Sequence, residues 1–213
     1  MKPQHWPLYG LRIRTPRLEL RLPDLELLDD LASVAAGGVH APDEMPFVIP
    51  WTDAPPAERA RATFQHVLHT VADWSPRSWT LSLAVLHEGR AVGRQDLSAT
   101  DFGVTGQITS GSWLGLAHQG RGIGTEMRAA ILHFAFAGLG ARSAVTAAMT
   151  DNARSLGVSR RLGYLPDGLA VAAVRGEPVT VQRLRIDRAR WEECRSIEVT
   201  VEGLDDCRAE FGT

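Results

Sequence analysis

Gln119-Gly120-Arg121-Gly122-Ile123-Gly124 sets three glycines on alternate positions between two segments of different period. Upstream, Ser112-Trp113-Leu114-Gly115-Leu116 reads as a strand. Downstream, Ile123, Met127, Ala130, Ile131 and Phe134 recur at helical spacing on one face. The glycine loop therefore opens a helix, where unpaired amides and the helix dipole attract an anion. The letters exclude two familiar anion loops. A P-loop ends in Gly-Lys-Ser or Gly-Lys-Thr, whereas Gly124 is followed by Thr125 and Glu126. A dinucleotide loop needs a small residue at 125 and an acid about 20 positions further on, where this chain has Thr125 and Arg142. What remains is Gln119, Gly122 and Gly124 in a pattern of glutamine, two residues, glycine, one residue, glycine.

Two further stretches give this loop a context. A short apolar strand at Arg142–Ala148 is followed by Asp151-Asn152-Ala153-Arg154-Ser155 and a short helix that ends at Arg161-Leu162-Gly163-Tyr164. Near the start, Thr15-Pro16-Arg17-Leu18-Glu19-Leu20-Arg21-Leu22 alternates apolar and charged residues, the period of a half-buried strand. In this order the three stretches resemble the GNAT superfamily of acyl-CoA-dependent N-acyltransferases. The opening strand is similar to that of the branch that acetylates the N-terminal alanine of ribosomal proteins. The closest likeness is to actinobacterial members, some of which use succinyl-CoA. The resemblance spans Thr15 to Trp191.

The resemblance implies a mixed α/β fold: a central twisted sheet with helices on both faces and two splayed central strands. Residues 1–190 would form one acyltransferase domain, and 191–213 an extension packed on the body or on a second subunit. Acetyl-CoA, or alternatively succinyl-CoA, would be the co-substrate, with no metal. Its pyrophosphate would lie on Gln119, Gly120, Arg121, Gly122, Ile123, Gly124 and Thr125, and its pantetheine arm along the backbone of Leu114 and Leu116 and against Asn152. Gly115, between two bulky residues, reads either as the mark of a close backbone approach or as room for a neighbouring tryptophan. Asn152 also reads as a helix N-cap, and the two roles are compatible.

The family's usual general acid is a tyrosine seven residues after the asparagine, and this chain has Ser159 there. Ser155 matches the serine that the ribosomal-alanine branch uses beside the thiolate, so Ser155 is the first candidate acid and Ser159 the second. The base is open: Asp96, Glu44, His118, or a water held by Ser110 or Ser112. Between Gly37 and Pro56, the apolar residues Met45, Phe47, Val48, Ile49 and Trp51 stand among prolines, too apolar for a solvated linker. Glu44, Phe47 and Trp51 are the expected acceptor contacts.

Composition bounds the rest. With 213 residues, 44% hydrophobic and 23% charged, the chain has the make-up of a globular domain. Its apolar runs are too interrupted to span a bilayer, and its first residues lack the apolar core of a signal peptide. A cytoplasmic protein is expected, without membrane or nucleic-acid partners, since the net charge is −2. Cys194 and Cys207 lack metal or redox spacing and read as reduced thiols. The expected acceptor is a primary amine on a peptide N-terminus, a lysine or a small molecule, and the expected assembly a homodimer or higher homo-oligomer. A catalytically weak acyl-CoA-binding regulator is the rival function, because the tyrosine and an evident base are absent.

Overall fold

Residues 4–213 are described by a computed structural model. The described residues form nine strands: β1 (Arg12–Arg14), β2 (Leu18–Arg21), β3 (Ser78–His87), β4 (Arg90–Thr100), β5 (Gln107–Leu114), β6 (Ser143–Met149), β7 (Leu165–Val174), β8 (Glu177–Asp187) and β9 (Thr200–Glu202). They form one open sheet in the order β7-β8-β6-β5-β4-β3-β2-β1-β9. Only β5 and β6 run parallel, joined by a crossover through a helix, as a parallel pair requires.

Seven helices flank the sheet: α1 (Leu25–Ala36), α2 (Pro56–Ala72), α3 (Phe102–Thr105), α4 (Ile123–His133), α5 (Ala153–Arg161), α6 (Arg188–Cys194) and α7 (Leu204–Cys207). Asp24 caps α1, its side chain accepting from the Leu27 amide. Leu27, Leu28, Leu31 and Ala35 of α1 and Val67 of α2 bury one face against Ala84, Leu86, Ala91 and Trp113. On the other face, Ile123, Met127, Ala130 and Ile131 of α4 join a larger core with Leu20, Leu83, Leu97, Ile108 and Ala144. The helical stripe seen in the sequence after Gly122 is thus the inner face of α4.

Two local expectations change. Thr15–Leu22 is not one strand: Thr15-Pro16-Arg17 turns the chain between β1 and β2, closed by the Thr15 amide on Leu18 O at 3.0 Å. β5 stops at Leu114, and Gly115 follows it. A Cβ there would lie 2.6 Å from Val34 Cγ1, so the glycine makes room for α1 rather than for a tryptophan.

The last residues complete the sheet and one core. β9 pairs with β1, and Phe211 is fully buried among Trp74, Trp79 and Phe134 at ring separations of 5.0–5.6 Å. Cys194 and Cys207 are free thiols, and burial pushes the Cys207 thiol up to about 11. Among the described residues no helix is long and apolar enough to cross a membrane.

Candidate acyl-CoA site

β5 and β6 pair through only three positions, from Gln107–Ser143 to Thr109–Val145. Beyond Ser110 and Thr146 the strands part while β5 stays paired to β4 as far as Leu114. A cleft of about 1040 Å³ opens between them, walled by β5, β6, the glycine loop, the start of α5 and the segment around residues 39–48. β5 therefore presents an edge without a strand partner to the cleft, the kind of edge an extended amide-bearing chain can pair with.

At one end lies the glycine loop. Gly120 and Gly122 have φ of +74° and +79°, a conformation open to glycine and costly for other residues. Among the described residues nothing accepts a hydrogen bond from the backbone N–H groups of residues 120–124; inward bonding resumes at Thr125 and Glu126, whose amides reach Gly122 O at 3.1 Å. A Cβ added at Gly120 would touch nothing, and one at Gly124 would meet only Leu114 Cδ1 at 3.6 Å. These orphan amides at the positive end of α4 fit a pyrophosphate in donor chemistry and in space.

Glu126, which the sequence reading passed over, holds this loop in place. Its carboxylate accepts from Thr15 Oγ1 at 2.6 Å, the Arg17 amide at 3.1 Å and Arg17 Nε at 2.7 Å, and Arg17 Nη1 reaches Arg121 O at 3.2 Å. Burial pushes the Glu126 carboxyl up, yet the hydrogen bonds from Thr15 and Arg17 and the arginine charge outweigh it and hold its pKa below the usual value. The Thr-Pro-Arg turn, which resembled a family strand, thus braces the anion loop. Gln119 is also a brace: its Nε2 donates to Val39 O at 2.7 Å and Leu114 O at 3.0 Å. With the Leu116 amide on Gly38 O at 2.9 Å, the Leu114 carbonyl and the Leu116 amide are engaged within the protein, while both residues line the cleft.

At the other end, Asn152 caps α5 by accepting from the Ser155 amide at 3.0 Å, and both residues line the cleft. Ser159 does not. It is fully buried and donates to Ser155 O at 3.1 Å, so it serves the helix rather than the cleft. Tyr164 is buried beneath, its hydroxyl without a hydrogen-bond partner.

The wall opposite α5 is aromatic. Glu44, Met45, Phe47 and Val48 line the cleft, and Glu44 is tied across it to Arg154 of α5 at 3.1 Å. Trp51 stands behind Phe47, 5.3 Å from it and 5.7 Å from Trp113, and supports the wall without facing the cleft. Met45 packs with Met149, Val174 and Val181, so the segment straddles the opening from β5 to β8. Two base candidates fall outside. Asp96 is held by Ser82 Oγ at 2.7 Å and by Arg94 at 3.0 Å, and His118 sits in the single turn after Gly115. Neither lines the cleft.

Residues 17–165 match the family model described as the acetyltransferase (GNAT) domain. Among solved structures, the fold is shared with a GCN5-related N-acetyltransferase from Brucella melitensis, at 22% identity and a TM-score of 0.68, covering 92% of this chain and 84% of that one. It is shared too with RimJ of Mycobacterium smegmatis in complex with CoA-disulfide (14% identity, TM-score 0.66, 97% of each chain). RimL, a ribosomal alpha-N-protein acetyltransferase in complex with coenzyme A, matches at 19% identity and a TM-score of 0.64, over 81% of this chain and 95% of its own. With the matching segment running from the Thr15–Arg17 turn through the anion loop to the start of β7, this chain belongs to the GNAT acetyltransferase family.

Proposed function

We propose that the protein transfers an acyl group from acyl-CoA to the primary amine of an acceptor with an apolar or peptide body, by direct attack in a ternary complex. The observation that carries this is the row of partnerless amides at residues 120–124, set at the end of a cleft whose other wall is the unpaired edge of β5. The amides take the pyrophosphate and the edge takes the pantetheine arm, which brings the thioester toward Ser155 and Asn152. Holding both reactants there supplies most of the acceleration.

In the reaction the amine nitrogen attacks the thioester carbon; the C–N bond forms as the C–S bond breaks, and the electron pair leaves on sulfur. The acceptor ammonium first gives up a proton to solvent through a water held by Ser110 or Ser112, both of which line the cleft, and attacks as the free amine. The departing thiolate takes the proton of the Ser155 hydroxyl, which is restored by the proton that the adduct's nitrogen loses through the same water. Phe47, backed by Trp51 and Trp113, would meet the acceptor body, with the Glu44–Arg154 pair at the mouth. Acetyl-CoA is the default donor and succinyl-CoA the alternative. The likeness to RimL, a ribosomal alpha-N-protein acetyltransferase, favours a peptide N-terminus among the acceptors.

Release of free CoA thiol, followed with acetyl-CoA or succinyl-CoA and a panel of peptides with free N-termini, lysine derivatives and polyamines, tests the reading. Amine-dependent release is expected, faster with peptides than with polyamines. Tight donor binding with no release from any amine would favour the acyl-CoA-binding regulator instead.

A further inference from the structure

Arg128 projects from α4 into the floor of the cleft where β5 and β6 begin to part, and it is only 6% exposed. A guanidinium has five donors, yet this one makes two contacts, both at the limit of hydrogen-bond length: Thr146 Oγ1 at 3.4 Å and Ser155 O at 3.5 Å. It forms no ion pair with a carboxylate among the described residues, and the Tyr164 ring lies 5.7 Å away. Burial lowers its pKa from the usual value, but arginine remains charged in proteins. The Tyr164 hydroxyl is buried beside the guanidinium, below the cleft floor, and carries no charge to offset it. A buried cation is costly unless an anion meets it, and an under-used guanidinium in the floor of a cleft marks where that anion goes.

The pyrophosphate does not fill this role, because its amides lie at the first turn of α4 while Arg128 lies further along the helix. A planar fork matches a carboxylate with two parallel hydrogen bonds. We infer that Arg128 seats a carboxylate at the far end of the acyl chain, so that the cleft selects carboxyl-terminated acyl-CoA donors, succinyl-CoA being the short member of that class, over acetyl-CoA. The inference rests on the acyl-CoA reading above and assigns its donor specificity. Arg128 comes from the helix that carries the donor loop and touches the carbonyl of Ser155, the residue assigned to the thiolate. The carboxylate is therefore placed on the donor rather than on the acceptor.

Calorimetric titration of the full chain with CoA, acetyl-CoA, butyryl-CoA and succinyl-CoA tests this without knowing the acceptor. Butyryl-CoA controls for chain length, since it has the same number of acyl carbons but ends in a methyl group where succinyl-CoA carries the carboxylate. The wild type is expected to bind succinyl-CoA at least about ten-fold tighter than butyryl- or acetyl-CoA, the scale of one charged hydrogen-bonded contact. Arg128→Met should abolish that preference while still binding CoA. Equal affinity of the wild type for succinyl- and butyryl-CoA overturns the inference, and this comparison stands even if the variant does not fold. Discrimination of glycine from glycinamide by the acetyl-CoA complex, together with donor parity, would move the carboxylate to the acceptor and also overturn it. Failure of CoA itself to bind would instead defeat the acyl-CoA reading.

Discussion

Ser155 and Ser159 sit one helical turn apart in different surroundings. Ser155 lines the cleft, whereas the Ser159 hydroxyl is spent on a carbonyl of its own helix inside the core. Ser155→Ala is therefore expected to lower kcat by roughly 10²-fold or less, within the usual range of acid assistance, with CoA affinity little changed. Ser159→Ala should leave kcat intact and cost about 1 kcal/mol of stability through the lost buried hydrogen bond. A Ser159→Ala enzyme with reduced kcat but normal melting would reverse the assignment. Gly124 offers a cleaner probe of the loop than Gly122. Gly122 has φ of +79°, so any side chain there also strains the backbone, but Gly124 is helical and a Cβ there would make only an ordinary contact with Leu114 Cδ1 at 3.6 Å. Gly124→Val should weaken CoA binding by at least about ten-fold, a loss of roughly 1.4 kcal/mol, with a melting temperature within a few degrees of wild type. Wild-type affinity would take the loop out of the site.

At the scale of elements, the anion loop depends on a turn more than a hundred residues away in sequence. Glu126, in the first turn of α4, bonds Thr15 and Arg17 through three short contacts. Its pKa is depressed in the folded protein, so its stabilisation is present in full above the unfolded value, about 4.5, and is lost as pH falls through the lower folded value. With Arg17 close to half exposed, the charged hydrogen bonds are worth about 1–3 kcal/mol after solvent screening. Glu126→Gln should lose that amount at pH 7, with the gap to wild type closing as the medium is acidified below pH 4, as urea unfolding at several pH values would show. A gap independent of pH would mean that shape, not charge, holds the turn. This contact also marks what periodicity could and could not reveal. The glycine loop, α4 and the cap at Asn152 are local patterns, and each was legible. The brace between Glu126 and Thr15–Arg17 is a long-range pairing that no local pattern records. Arg128 was missed because a single charge beside an apolar stripe reads as a solvated helix position. Trp51 was read as a cleft contact because a hydrophobic count over a proline-rich segment cannot separate the residue that faces a ligand from the one behind it.

For the whole molecule, the question is what keeps a sheet open at its centre from opening further. β5 and β6 share only three paired positions, so the two halves are held mainly by the helices and cores above and below them. One such clamp is built from the last residues of the chain. Trp74 Nε1 donates to Glu210 O at 2.9 Å and Trp79 Nε1 to Phe211 O at 3.2 Å, and the Phe211 ring fills the space between those tryptophans and Phe134, at the end of α4. Residues 191–213 thus form part of the core that seats the donor helix, joined to the sheet through β9. Removing a fully buried phenylalanine side chain costs about 3–5 kcal/mol. In a chain of this length that corresponds to a fall in melting temperature of roughly 6–20 °C. Phe211→Ala should show that fall in calorimetry, while CoA affinity measured well below the transition stays within about two-fold of wild type, since no cleft residue is altered. A melting temperature unchanged within about two degrees would mean that the C-terminal residues rest on the body without supporting it. A fall accompanied by lost CoA binding at low temperature would show instead that the clamp sets the position of α4 and, through it, the geometry of the anion loop.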